Sequence, residues 1–352
     1  MFLNVSSFAA VEWTAQRDLQ LVERHDVTPA DDEITIAVES AGICGSDLHF
    51  FRGDFSPRPG TTPGHEFAGR IVALGRNVSR HREGDLVGVE PLLRCGICEF
   101  CLTGDYHVCR QRRLVGEGHH GGMSQRATVP AQIAYSVPGA VDAEGAAMAE
   151  PLACSVHGFR KIGLQGHETV YVVGAGTIGL TAILAARAVG AKVIVLARHP
   201  HQQAAAKRLG AIEVLGEDDA SEKRIADLVA ANAIDVAVET VGGKAETLWE
   251  AQRVLRPKGK LIVLGVFTGG PVPINALHLA VNEIEMVGSM TYNAKEGHVD
   301  YAIALEVVGG FLPEIKSLVS HRFALLSAND AFRTAADKST QSLKVHFNPN
   351  TI

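Results

Sequence analysis

Apolar side chains fall on every second position in short runs near the start of the chain. In Glu33-Ile34-Thr35-Ile36-Ala37-Val38-Glu39 the residues Ile34, Ile36 and Val38 share one face, a period that predicts a half-buried strand and a β-rich beginning. Segments 67–73 and 85–90 read the same way, with Gly75 and Gly84 as turns. From Glu168 the period changes to alternating strand and helix. Thr169–Val173 is a predicted strand, Gly174 to Gly179 a turn, Leu180–Val189 a helix stopped by Gly190, and Lys192–Ala197 a second strand. Further strands are expected near 212–215, 235–239, 260–265 and 284–289, with a helical run over Lys244–Leu255 between two of them. That alternation predicts a doubly wound parallel sheet.

One segment, Thr169 to Ala186, runs eighteen residues without a charge and reaches the length of a membrane span. Gly174, Gly176 and Gly179 interrupt it, and strand-turn-helix accounts for it better, so no membrane association is expected. The 352 residues suggest two domains, and 46% apolar with 20% charged residues is ordinary for a globular protein. A net charge of −6 offers no global basic surface to a phosphate backbone, which disfavours nucleic acid as a partner. Met1 to Trp13 has no basic stretch leading into an apolar run, so no secretory leader is read and a cytoplasmic location is expected. There the six cysteines point to metal or chemistry rather than disulfides.

Their spacing supports this. Cys95, Cys98, Cys101 and Cys109 lie in one fifteen-residue loop, and four thiolates at that spacing close a tetrahedral shell around a structural zinc. Cys44, flanked by Gly42 and Gly45, is expected in a loop at a sharp turn. With His65, Glu66 and Glu150 it offers thiolate, imidazole and carboxylates from separate segments, a set that holds zinc by three protein groups and leaves a fourth position open. Gly174-Ala175-Gly176-Thr177-Ile178-Gly179 follows a strand and opens a helix, where a dinucleotide pyrophosphate meets backbone N–H groups. At the end of the second strand, where NAD sites usually carry Asp or Glu, stand Ala197 and Arg198; no carboxylate repels a 2′-phosphate and a guanidinium can bind it, so NADP is expected, with NAD as the alternative. Thr240 with its neighbours, and Gly265 with Val266, are expected to complete the nicotinamide pocket from later loops.

Gly64-His65-Glu66-x2-Gly69-x5-Gly75-x2-Val78, with Cys44-Gly45-Ser46-Asp47-Leu48-His49 before it, resembles the zinc-containing alcohol dehydrogenases, the medium-chain family, in their sorbitol and threonine dehydrogenase branches. The resemblance covers essentially the whole chain. It implies a GroES-like, β-rich catalytic domain over 1–151 and 291–352, with the zinc lobe at 95–109, and a Rossmann domain over 152–290. It implies two zinc ions per chain, and a relay in which Ser46 and His49 carry the alcohol proton away by way of the cofactor ribose. The positions of Glu66 and Glu150 match family carboxylates that bind zinc directly or through water, an alternative left open. Zinc acting as Lewis acid on the substrate oxygen, hydride passing to a nicotinamide held across a domain cleft, and a homotetramer or homodimer are implied likewise.

The expected reaction interconverts a small secondary alcohol, a polyol or sugar alcohol among them, and its ketone. Where sorbitol dehydrogenases carry Arg-Tyr this chain has Thr291-Tyr292, and their Tyr after the relay histidine is Phe50, so two polar anchors are missing. An NAD-dependent amino-alcohol or threonine-type dehydrogenase is therefore kept as an alternative. A redox-inactive binding protein of the same fold is the other, though no ligand, relay or glycine position has been lost.

Overall fold

The computed structural model describes residues 7–351, so the first six residues of the stretch read for a leader lie outside it. The chain divides into two compact units, one holding the residues up to Glu150 and again from Asn293 onward, the other Pro151–Tyr292.

The first unit is built on a seven-stranded sheet. Its path runs Val319–Phe323, Lys344–Phe347, Glu33–Gly42, Glu66–Leu74, Leu86–Val89, Ala134–Ser136, with Arg126–Pro130 pairing on Glu33–Gly42 as well. The alternation in the sequence is what this sheet uses: Ile34, Ile36 and Val38 are fully buried and pack with Phe67, Ile71, Val87 and Val89. Trp13 and Phe332 close that core edge to face, with centroids 5.3 Å apart. Two irregularities, after Thr35 and after Val38, bend the pairing of Glu33–Gly42 with Glu66–Leu74, which ends at Gly42 opposite Glu66. On the other side of the same strand Gly42 stands opposite His346. Three segments far apart in sequence thus meet at Gly42.

The second unit is a six-stranded, all-parallel sheet. Counted along the unit from Thr169–Val173, the strands lie in the order 3-2-1-4-5-6, the doubly wound arrangement. Val170 to Val173 are almost wholly buried, as a central parallel strand covered on both faces requires. The uncharged segment is the first strand and the following helix, and no helix among the described residues is long and apolar enough to cross a membrane.

Three boundaries differ from expectation. The first helix spans Thr177–Ala188 rather than starting at Leu180, because Gly176 is already its N-cap. The helical run expected over Lys244–Leu255 shrinks to Thr247–Gln252: Gly242 and Gly243 turn with positive φ, and Gly243 bridges to Phe267. Leu255 opens the fifth strand, Leu255–Val263, well before residue 260. Its side chain is buried in the core beneath the sheet, and tertiary packing outweighs local helical pattern there.

Candidate active site and metal lobe

Cys44 lies in the short connection between the strand Glu33–Gly42 and the helix Gly45–Arg52, in keeping with the loop expected for it. It is the N-cap of Gly45–Arg52, and Asp47 closes the cap by accepting the Cys44 N–H at 2.9 Å. Glu66 opens the strand opposite and His65 immediately precedes it, so the connection after Gly42 sets the thiol beside both. The ligand atoms of Cys44, His65 and Glu66 all lie within 4.8 Å of one another.

Lys344 is the residue that sequence reasoning missed. It starts the strand Lys344–Phe347, and its ammonium, 2% exposed as a residue, donates to Glu66 Oε2 and to the Ile43 carbonyl at 2.9 Å. Burial opposes its charge, but Glu66, Cys44 and Glu150 outweigh burial and hold it above the ordinary lysine value. Burial likewise opposes a proton on His65, and the Cys44 thiol and Asp47 nonetheless raise that ring well above its usual value. Asp47, 3% exposed, is raised by its burial and stands 3.9 Å from His65 Nδ1. Glu150 lies outside the three-residue ligand cluster, yet near enough to act on His65 and Lys344 through its charge. Gly42 is glycine because a Cβ there would stand 2.4 Å from Glu66 Oε2 and 2.9 Å from Lys344 Cε.

These groups fit a metal ion. The second carboxylate oxygen of Glu66, Oε1, is buried without a hydrogen-bond partner, which costs about 1–3 kcal/mol or more for a charged group unless a cation takes it. Thiolate, imidazole and carboxylate are the zinc donor set, and three of them leave a coordination position open.

The four-cysteine lobe fits zinc by its own geometry. Four of its six sulfur pairs are 3.5 Å (Cys98–Cys101), 3.6 Å (Cys95–Cys109), 3.8 Å (Cys98–Cys109) and 3.9 Å (Cys95–Cys101), and all lie within 4.8 Å. A tetrahedron with metal–sulfur bonds of about 2.3 Å has edges of about 3.8 Å. The backbone N–H of Cys101 is the main cause that lowers the Cys98 thiol to about 6, whereas desolvation pushes Cys101 up to about 12, so not all four are ionised together at neutral pH without a cation.

Ser46 and His49 both lie on the helix Gly45–Arg52, three residues apart and hence on one face. His49 Nδ1 is 2.7 Å from Asp54 Oδ2.

In the second unit the residues expected to hold a nucleotide gather at the carboxyl ends of the first, second, fourth and fifth strands. Gly174 follows the first strand and Gly176 caps the helix opened by Thr177, Ile178 and Gly179. Thr240 directly follows the fourth strand, Ile234–Glu239, with its hydroxyl donating to the Val173 carbonyl at 2.8 Å. Gly265 and Val266 follow the fifth strand, and Val266 is about half exposed. The first and fourth strands are adjacent and flank the point where strand order reverses, where open α/β sheets bind ligands. Ala197 is buried just past the second strand, while Arg198 is exposed and donates through Nε to both oxygens of Glu217 at 3.0 and 2.9 Å. Glu217 is a second residue that sequence reasoning missed.

A unit carrying two zinc-ligand clusters, and a doubly wound unit with a glycine turn at its switch point, define a zinc-type nicotinamide dehydrogenase. Family models agree: alcohol dehydrogenase GroES-like domain over residues 30–139 and zinc-binding dehydrogenase over 177–307. Sorbitol dehydrogenase from Bacillus subtilis is 33% identical over 91% of each chain. A zinc-binding dehydrogenase from Sinorhizobium meliloti 1021, solved with NADP bound, is 29% identical, with TM-score 0.89 over 98% of this chain and all of that one. An alcohol dehydrogenase from Escherichia coli CFT073, complexed with NADH, is 27% identical, with TM-score 0.88 over 97% and 99%. The chain belongs to the zinc-dependent medium-chain alcohol dehydrogenase family, in its sorbitol-dehydrogenase-like branch, and is an oxidoreductase.

Proposed function

We propose that the protein interconverts a secondary alcohol of the polyol or sugar-alcohol class and its ketone, with NADP as the preferred hydride carrier. The observation that carries this reading is the Cys44, His65 and Glu66 cluster, with its buried carboxylate oxygen awaiting a cation. A zinc ion held by Cys44, His65 and Glu66 would supply Lewis acidity toward a substrate oxygen, and a bound nicotinamide would supply the hydride chemistry.

The remaining work falls to side chains of the chain itself. Lys344 neutralises and orients Glu66, and Asp47 braces the Cys44 turn beside His65. Ser46 takes the proton that the substrate hydroxyl gives up and His49 carries it toward solvent. Cys95, Cys98, Cys101 and Cys109 hold a second, structural zinc. The preference for NADP is supported by Ala197, which presents no carboxylate, and by Arg198, whose Nη atoms are not engaged by Glu217.

A second reading is an amino-bearing alcohol. It is favoured by Phe50 and by Thr291-Tyr292, which stand where sorbitol dehydrogenases carry a tyrosine and an Arg-Tyr pair. A panel of polyols, sugar alcohols, amino alcohols and simple secondary alcohols, assayed with NADP and with NAD, separates the two. The first reading expects the highest kcat/KM for a polyol with NADP; turnover confined to amino alcohols, or to NAD, contradicts it.

A further inference from the structure

The helix Gly45–Arg52 ends in a way that serves His49. Gly53 adopts the left-handed conformation, φ 86°, and its N–H returns to the carbonyls of His49 and Phe50. The reversal brings Asp54 back under the same turn, where its N–H donates to the His49 carbonyl at 2.9 Å. Its carboxylate then meets the imidazole, Oδ2 to Nδ1 at 2.7 Å. A side chain at position 53 would strain the left-handed turn and strike Gln16, whose Nε2 would be 2.0 Å from a Cβ. Phe55 adds a tilted ring contact on His49, centroids 5.6 Å apart. The imidazole is held from two sides, and its side chain is only 16% exposed.

An ionised carboxylate accepts hydrogen bonds and donates none, so the proton between these groups sits on Nδ1 of His49. A neutral imidazole with Nδ1 protonated has its lone pair on Nε2. The intrinsic preference of a free imidazole is the reverse tautomer, so the arrangement needs the carboxylate to hold it.

We propose that Asp54 is a positioning residue for proton removal: it fixes His49 with Nδ1–H toward Asp54 and Nε2 as the atom that accepts the proton passed on through Ser46. This rests on the reading of Ser46 and His49 as the relay. In alcohol oxidation the substrate O–H bond breaks as Ser46 Oγ takes its proton, the Ser46 hydroxyl gives up its own along the relay, and an Nε2–H bond forms on His49. The resulting imidazolium returns that proton to solvent while Asp54 remains a carboxylate. In ketone reduction the same atoms run in reverse.

The test uses the full-length, zinc-loaded protein. With 15N-histidine labelling, and the His49 signals assigned by difference from His49→Gln, the parent should show His49 protonated on Nδ1, and Asp54→Ala should shift it toward the Nε2-protonated form. Single-turnover hydride transfer in Asp54→Ala should fall about ten- to hundredfold, below the 10²–10⁴ typical of a group that moves the proton itself. Asp54→Asn keeps an accepting oxygen and should recover part of the rate. Cofactor affinity, zinc content and thermal midpoint of Asp54→Ala should stay with the parent, so that the loss falls on proton removal alone, an outcome a merely structural role would not give. An unaltered tautomer in Asp54→Ala, or an unaltered rate there while His49→Gln is slow, overturns the proposal. An unslowed His49→Gln overturns the relay reading itself, and with it the use assigned to Asp54, even where the tautomer is held.

Discussion

Cofactor choice is the feature on which two neighbouring charges make opposite demands. Arg198 is 68% exposed and its Nε is taken by Glu217, leaving the Nη groups to a 2′-phosphate. One or two charge-assisted hydrogen bonds would be worth roughly 1.5–3 kcal/mol each in a desolvated site. At this exposure, with water and salt screening the charges, about 1–2 kcal/mol in all is the reasonable figure. Since 1.36 kcal/mol is tenfold, Arg198→Leu should lower the ratio of kcat/KM for NADP over NAD by about five- to thirtyfold. Glu217→Gln should raise the same ratio, because it removes an anion beside the incoming phosphate and leaves the guanidinium in place. The assay is initial rates at fixed alcohol with each cofactor, at two ionic strengths, and both effects should shrink at the higher one. A ratio unchanged in Arg198→Leu would refute the reasoning, and one that falls in Glu217→Gln would mean that the carboxylate orients Arg198 more than it repels phosphate.

Two further predictions concern the catalytic unit. Gly42→Ala places a methyl where Glu66 Oε2 and Lys344 Cε now meet, so it should weaken zinc retention and turnover together, measured as metal content after dialysis and as kcat; wild-type values for both would show that the strand yields without cost. His346 is kept well below the usual histidine value, first by burial and then by Lys344 and Arg322. The unfolded chain therefore takes up a proton near 6.5 that the folded chain refuses, so the stability is fully present above that pH and is lost as pH falls below it, by at most about 1.4 kcal/mol per pH unit. Denaturant unfolding of the parent and of His346→Gln between pH 7 and 5 checks this, and parallel pH dependences would remove His346 as the cause.

The sequence reveals those parts of the site whose chemistry dictates residue type. Cysteines at zinc-lobe spacing, the histidine and glutamate beside a glycine turn, and the change of period at Glu168 are all local signals, and the structure places those residues at one lobe, one ligand cluster and one parallel sheet. Partners supplied by long-range register are illegible. Lys344 reaches the Ile43 carbonyl across 301 positions, and nothing local in Lys344-Val345-His346-Phe347 marks the lysine as buried. Glu217 faces Arg198 only because the second and third strands are neighbours in the sheet. Asp54 left a fainter signal, the Gly53 that reverses the chain after the helix. Its value as a partner for His49 shows only once the left-handed turn is seen. Cys44 was expected in a loop because its flanking glycines suggest a turn. It does lie in that connection, and what the glycines do not show is that a helix starts directly after it, with Asp47 three residues on closing the cap.

The most direct test of the account is the zinc content of purified protein, measured alongside alcohol oxidation in the parent, Cys44→Ala and Cys98→Ala. Two zinc ions per chain are expected in the parent. Cys44→Ala should hold one and lose turnover while keeping most of its thermal stability, and Cys98→Ala should lose the other and mainly melt earlier. Two zinc ions retained in Cys44→Ala, or full turnover without the ion it is meant to hold, would contradict the assignment of Cys44, His65 and Glu66 as the catalytic metal site.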